Sequence, residues 1–201
     1  MLKIVALSFL AVILFACNTS SDKDFTIDDF YANNNNLILD KEHKYQDIEF
    51  KLPESFTDYY SNSITIGNNS RTFNQYKLGL IFTVEKFTEN DVYRPFVRYE
   101  PTTSNLTDLF HSGYVNTRAR SIDESEVSIK KSIKTSKKLK GIIQYVSDKD
   151  YYKKDVKKIY ATATFQIKKD YYVFQWIVDN EMMSYTMDDF MQILNSVKPR
   201  K

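Results

Sequence analysis

The sequence IYATATFQIKKDYYVFQWIV, residues 159–178, predicts the β-hairpin around which the rest of the chain is arranged. In residues 159–167, one set of alternate positions is apolar and the other is mostly polar, which is the period of a half-buried strand. Residues 171–178 are apolar on both faces, which indicates a central strand that is covered on both sides. The link Lys168-Lys169-Asp170 is short enough for a hairpin, so the two strands are expected to be antiparallel neighbours.

Further strands are predicted before this hairpin. Residues 48–52 alternate apolar and polar positions and end at Pro53, which cannot donate a hydrogen bond to a β-ladder. A longer alternation starts at Tyr76 and predicts one apolar face formed by Tyr76, Leu78, Leu80, Phe82 and Val84. Shorter strands are predicted at residues 63–66, 127–133 and 140–146.

Two amphipathic helices are predicted. Asn105 can cap the first, and Gly113 lies within its apolar stripe, so this helix is expected to end there or to pack closely. Thr186 is expected to cap the second helix, with Asp188 and Asp189 in its first turn. Helical spacing gives the two buried stripes as Leu106, Leu109, Phe110 and Tyr114, and as Phe190, Ile193, Leu194 and Val197.

The order of these elements predicts an α+β fold, with an antiparallel sheet of about six to seven strands and helices packed on it. The region contains no internal repeat and no break in composition, so residues 45–201 are expected to form one domain. A domain of that length can bury most of its apolar surface.

Segments at the two ends of this domain resemble the PsbP/DcrB-like family. The segment FKLPESF, residues 50–56, is similar to the family's opening strand. YYVFQW at 171–176 and DFMQILNSV at 189–197 are similar to its last strand and closing helix. The resemblance implies an α/β/α sandwich around an antiparallel sheet. It implies no catalytic residues, because these domains mostly act as adaptors or assembly factors, and DcrB-like members include bacterial lipoproteins.

The N-terminus has the pattern of an exported protein. A short positive start precedes an apolar run over residues 4–16, which is the secretory pattern and is too short for a relaxed transmembrane span. Leu14-Phe15-Ala16-Cys17 resembles a lipobox, which predicts a lipoprotein signal peptide at residues 1–16 and lipidation of Cys17, the only cysteine. The alternative is an ordinary signal peptide with a chance cysteine. Residues 17–44 are expected to form a polar tether, and Asn18 in place of aspartate favours the outer membrane over the inner one.

The sequence offers little support for catalysis. The four glycines are too widely spaced for a nucleophile elbow or a phosphate-binding loop, and Cys17 would be acylated. Asp108 and His111 lie three residues apart on the predicted helix and could form half of an acid–base or metal site, although a solvated helix face explains them as well. The expectation is therefore a non-enzymatic protein without cofactor or metal.

Positive charge is concentrated in one segment. Residues 130–169 contain thirteen lysines and three aspartates, a net charge of +10, whereas the whole chain carries only +2. Solubility and protection of strand edges explain such lysines, but they could also contact anionic lipid headgroups or an acidic envelope protein. Nucleic acid is not expected outside the cytoplasm. The predicted basic binding patch consists of Lys130, Lys134, Lys138, Lys140, Lys157 and Lys158.

Three pairs of adjacent tyrosines suggest a second kind of surface. They occur at residues 59–60, 151–152 and 171–172. Because neighbouring strand residues point to opposite faces, one member of each pair could be exposed and could stack on a sugar. The leading hypothesis is thus a membrane-anchored adaptor of the cell envelope, and the alternative is a lipoprotein that binds a glycan or a lipid through exposed tyrosines.

Overall fold

The computed structural model of the chain describes residues 37–59, 70–91, 105–120, 122, 125–149 and 157–201. Its helices there include α1 (Leu106–Arg120) and α2 (Met183–Ser196), and a short 3-10 helix at Asn180–Met182 precedes α2. The strands are β1 (Lys41–Tyr45), β2 (Ile48–Leu52), β3 (Thr57–Tyr59), β4 (Ser70–Gln75), β5 (Leu80–Phe87), β6 (Glu126–Val127), β7 (Lys131–Lys134), β8 (Lys140–Lys149), β9 (Lys157–Ile167), β10 (Asp170–Asp179) and β11 (Lys198–Pro199).

The predicted central hairpin is confirmed. Strands β9 and β10 pair antiparallel, with Tyr172 opposite Phe165 and Trp176 opposite Ala161. The connecting turn is Lys168 and Lys169, and Lys168 has a positive φ of 59°. Strand β10 lies between β5 and β9, and every residue of 171–178 is buried, as the apolar character of both faces predicted.

The strands form two antiparallel sheets. The larger has eight strands in the order β3-β4-β5-β10-β9-β8-β6, and β7 also pairs with β8. The smaller has the order β1-β2-β11. The α+β class with helices packed on an antiparallel sheet is confirmed, but the strands outnumber the predicted six to seven. The additional sheet arises because residues 41–45 and the segment after α2 both pair with β2.

Helix α2 and the smaller sheet cover one face of the larger sheet with an apolar core. Trp176 stacks on Phe190 of α2 at 6.1 Å between ring centroids, and Phe82 lies 5.4 Å from Phe50 of the smaller sheet. These four side chains are fully buried. Because burying one large apolar side chain stabilises a fold by ~1.5–3 kcal/mol, this face supplies most of the packing energy.

Helix α1 covers the opposite face, which is largely polar. Among the described residues, a small apolar cluster forms there, around Phe110, Tyr171 and Val173. Beside it, Thr164 is fully buried, and its Oγ1 lies 2.8 Å from Nδ1 of His111 on α1. The alternating threonines of β9 therefore lie beneath a helix instead of facing solvent.

Two predicted boundaries differ from the structure at the N-terminal side. Strand β1 begins at Lys41, and Leu37 is buried, so packed structure begins inside the segment 17–44 that was expected to be a tether. His43 and Tyr45 are buried on alternate positions of β1, and the charged Lys44 between them is exposed. Strand β5 begins at Leu80, because Tyr76 and Leu78 lie in the turn before it. The strand predicted at 63–66 lies outside the described residues.

The predicted cap of α2 is wrong. The 3-10 helix follows β10 directly, so α2 begins at Met183 and Thr186 lies inside it. There the Thr186 hydroxyl donates to the Met182 carbonyl at 2.9 Å and accepts from the Trp176 indole N–H at 3.2 Å. A threonine can bond the carbonyl four residues earlier as readily as it caps a helix, which explains the error. Asp189 is buried and does not lie in the first turn.

Helix α1 matches its prediction better. The Asn105 side chain accepts from the backbone N–H of Thr107 at 3.0 Å, as expected of a cap. The helix continues through Gly113 to Arg120. The strand predicted over residues 127–133 is interrupted, because β6 and β7 pair with separate parts of β8, and Ile129 between them is 83% exposed.

Candidate anion-binding groove

An open groove of about 830 Å³ lies between the N-terminal end of α1 and the hairpin formed by β7 and β8. Its floor includes Ile142 of β8 and Gln166 of β9, and its outer wall includes Ser132 of β7. Lys134, Lys138 and Lys140 line its open side. Asn105, Thr107, Asp108, Ile133, Leu139 and Gly141 complete the lining.

Strand pairing places two of these lysines face to face. Lys134 of β7 is the register partner of Lys140 of β8. Directly opposed side chains lie on one face of a sheet, with Cβ atoms ~5 Å apart. Ser132 and Ile142 are also register partners, two residues along, so they share that face. Ile142 is paired in turn with Thr164, which contacts His111, so the lysine pair lies on the α1 side of the sheet.

The loop that joins β7 to β8 is held in one conformation by hydrogen bonds. The Thr135 N–H donates to the Leu139 carbonyl at 2.9 Å, and the Leu139 N–H donates to the Thr135 hydroxyl at 3.2 Å. Ser136 is bound to Asn195 at the end of α2, through its N–H at 3.0 Å and its hydroxyl at 3.1 Å. Lys138 has a φ of 65°, so a non-glycine residue holds the left-handed conformation that this turn requires. The loop therefore presents its lysines from a fixed backbone.

The acidic residue of the groove is already neutralised. Asp108 forms an ion pair with Lys130, whose Nζ lies 2.7 Å from its Oδ1, and the same Nζ donates to the Ser112 hydroxyl at 3.0 Å. In the described parts of the chain, no carboxylate lies within ion-pair distance of Lys134, Lys138 or Lys140. The groove thus carries three positive charges without a described counter-charge.

The structure separates the six lysines of the predicted patch. Lys134, Lys138 and Lys140 line the groove, whereas Lys130 is paired with Asp108 on α1. Lys158 lies 3.5 Å from Asp179, and Lys157 precedes it on β9. Gly141 is opposite Phe165, so Lys158 lies seven residues along β9 from the groove, roughly 23 Å away. A binding role for any of these lysines stays a prediction.

The two candidate catalytic residues point to different surroundings. The Asp108 carboxylate is bound to Lys130, whereas His111 is fully buried against Thr164. Burial, together with the nearby charge of Lys130, lowers the pKa of His111 to about 4, so the imidazole is neutral at pH 7. Among the described residues, no three His, Cys, Asp or Glu side chains converge on a possible metal site.

The tyrosine pairs expose fewer aromatic rings than predicted. Tyr171 and Tyr172 are both buried, so the prediction that one of them is exposed is wrong. Both faces of β10 are covered, which leaves no exposed side for either residue. Tyr59 is 47% exposed, and Tyr60, Tyr151 and Tyr152 lie outside the described residues.

The predicted signal peptide and Cys17 also lie outside the described residues. Neither α1 nor α2, the longer helices of the part described, is long and apolar enough to cross a membrane.

Comparison with known proteins identifies the fold. No family model and no curated protein matches the chain. The cyanobacterial PsbP of Synechocystis superposes with a TM-score of 0.53, over 79% of this chain and 91% of its own, at 9% identity. The chain has a PsbP-like fold. The Ran-binding protein Mog1p of Saccharomyces cerevisiae gives a TM-score of 0.53, over 81% of this chain and 96% of its own, at 8% identity. At such identities the likeness concerns the fold alone.

Only part of the groove could be predicted from the sequence. Its lysines were identified from local charge density, but the residues that form its walls were not, because they come from α1, β7, β8 and β9 together. One signal was present: Lys134 and Lys140 lie symmetrically about the short loop 135–139. Reading that segment as a hairpin would have predicted that the two lysines oppose each other.

Proposed function

We propose that the chain is a lipid-anchored, non-catalytic protein of the bacterial cell envelope whose domain binds a negatively charged partner in the groove. The observation that carries the binding proposal is the set of Lys134, Lys138 and Lys140, which have no described counter-charge. Lys138 lies on the hydrogen-bonded loop, and Lys134 and Lys140 flank that loop on β7 and β8. The anchor is proposed from the sequence Leu14-Phe15-Ala16-Cys17.

The likeness to PsbP supports the proposal in a limited way. The resemblance in residues 50–56 and 171–176 agrees with a PsbP-like fold, and it implied an adaptor or assembly domain in place of an enzyme. The pairing of Asp108 with Lys130 and the burial of His111 also argue against the acid–base site that these two residues could have formed. A turnover that is lost when one acidic residue or histidine is replaced would refute the non-catalytic assignment.

Lipidation is tested directly by growing cells with an alkyne analogue of palmitate. We expect the label on the wild-type chain and none on Cys17→Ala, because Cys17 is the only thiol that can carry a thioether-linked diacylglyceryl group. Two acyl chains suffice for stable membrane attachment. An unlabelled wild-type chain would contradict the anchor. Fractionation of the labelled protein would then test the proposed outer-membrane location.

The partner is sought by amine-reactive crosslinking in intact cells, followed by mass spectrometry of detergent-solubilised envelopes. If the partner is an envelope protein, crosslinks should form through Lys134, Lys138 and Lys140. Lys131 and Lys137 belong to the same hairpin, are exposed and do not line the groove, so they are matched internal controls. Crosslinks distributed equally over all five lysines would show that the groove does not direct binding.

A further inference from the structure

The two opposed lysines of the groove are expected to destabilise the pairing of β7 with β8 when no anion lies between them. Like charges directly opposite each other destabilise an antiparallel pair, and Lys134 and Lys140 are register partners. Protection of a strand edge needs charged side chains on β7, but it does not need a second lysine opposite on β8. An anion between the two ammonium groups would turn the repulsion into attraction, and Lys138 adds a third positive group at the same opening.

The lining also has an apolar part. Ile142 shares the α1 face with the lysine pair and lies two residues along β8 from Lys140, whereas Ile133 and Leu139 border the groove but pack their side chains against the main core on the other face. Lysine is a compact point charge with three donors, which suits phosphate oxygens without demanding one fixed approach. A ligand that carries an anionic group beside a short hydrocarbon part can therefore contact both the lysines and Ile142.

We propose that this groove binds the phosphate of an anionic lipid headgroup between the lysines, with the glycerol against Ile142. The inference rests on the proposed function, because it takes its ligand from the membrane that holds Cys17. Nineteen residues lie between Cys17 and Leu37, so even a fully extended connection keeps Leu37 within ~70 Å of that membrane. A shorter, less extended connection lets the groove meet a headgroup.

The test uses the mature, lipidated chain in vesicles of phosphatidylcholine alone or with one quarter phosphatidylglycerol. Each lysine is acetylated with a water-soluble reagent, and its rate is read by mass spectrometry. We expect phosphatidylglycerol to slow acetylation of Lys134, Lys138 and Lys140 by about threefold or more, since charge-assisted hydrogen bonds to phosphate shield each amine. Lys131 and Lys137 should react at unchanged rates.

Matched double variants distinguish binding in the groove from an effect of the net charge of the protein. Lys134→Gln/Lys140→Gln should abolish the protection of Lys138, whereas Lys131→Gln/Lys137→Gln, with the same change in net charge, should preserve it. The first variant should also unfold at a higher urea concentration than the wild type in phosphatidylcholine vesicles, because it removes the repulsion. A lower midpoint for that variant would show that the lysines serve the fold and would overturn the inference.

Three further outcomes would overturn it. Equal protection of all five lysines would mean unspecific attraction to the surface. Equal protection by vesicles made anionic with oleate would mean that phosphate is not recognised. Protection by millimolar glycerol phosphate in phosphatidylcholine vesicles would assign the groove to a free phosphate ester. If phosphatidylglycerol gives no protection but an envelope protein crosslinks through the groove lysines in cells, the lipid inference fails and the proposed function stands. If neither the protection nor the crosslink is observed, the lipid inference and the binding part of the proposed function both fail.

Discussion

The burial of His111 makes the stability of the domain depend on pH. The ring is fully buried between α1 and the larger sheet, Nδ1 lies 2.8 Å from the Thr164 hydroxyl, and Nε2 has no hydrogen-bond partner in the described structure. Burial, with the charge of Lys130, lowers the pKa of His111 from 6.5 to about 4. The folded protein therefore holds this ring neutral at a pH where the unfolded chain protonates it.

The sign and size of the effect follow from that difference. Between the folded and unfolded pKa values the unfolded chain binds the additional proton, so the stabilisation is complete above pH 6.5 and is lost as the pH falls towards 4. From pH 7.5 to pH 5, this residue alone is expected to lower the free energy of unfolding by about 2 kcal/mol. That is a large part of the ~5–15 kcal/mol that stabilises a typical domain.

The assay is urea unfolding at several pH values, followed by the fluorescence of Trp176, the only tryptophan. His111→Gln removes the titration and keeps an amide that can bond the Thr164 hydroxyl. Other shifted groups act in both proteins and cancel in the difference: burial also lowers the pKa of His43 and raises that of Glu85. We expect the wild type to lose about 2 kcal/mol more than the variant between pH 7.5 and pH 5. Parallel curves would refute the argument.

Two further predictions concern packing around the central hairpin. Gly141→Ala should lower the free energy of unfolding by ~1–3 kcal/mol, because a Cβ there would lie 2.6 Å from ring carbons of Phe165; an unchanged urea midpoint would contradict this. Thr186→Val should cost ~1–3 kcal/mol by leaving the buried Trp176 indole N–H without its acceptor, whereas Thr186→Ser should be close to wild type; similar losses in both variants would point to shape and not to the hydrogen bond.

The central hairpin was predictable because its pattern permits one interpretation. Seven apolar residues and one glutamine at 171–178, after a short link and an alternating strand, fit a central strand, and the structure buries all eight. The polar set of β9 is ambiguous by comparison. Thr162 and Thr164 have the same spacing whether they face water or a helix, and here they face the buried side chains of Gln175 and His111. Sequence alone does not distinguish a solvated face from a polar interface.

The basic patch shows a different limit. Charge density along residues 130–169 located the lysines correctly, but it treats positions close in sequence as close in space. Strands β8 and β9 each extend over many residues, so Lys158 lies at the far end of the pair from Lys140. What brings Lys134 to Lys140 is the tight loop between β7 and β8, and pairing of that kind depends on register, which local composition does not specify.

The unequal covering of the two faces bears on how the groove is built. The loop that carries Lys138 is tied to α2 through Ser136 and Asn195, on the side where the apolar core holds the sheet most strongly. The opposite wall is α1, which rests on hydrogen-bonded threonines and glutamines and on the neutral His111. Segments with few buried apolar contacts open at lower free energy than the core. The groove lysines are therefore held by the α2 side of the domain, where the apolar core lies. The opposite wall, α1, belongs to the side whose packing weakens when His111 is protonated.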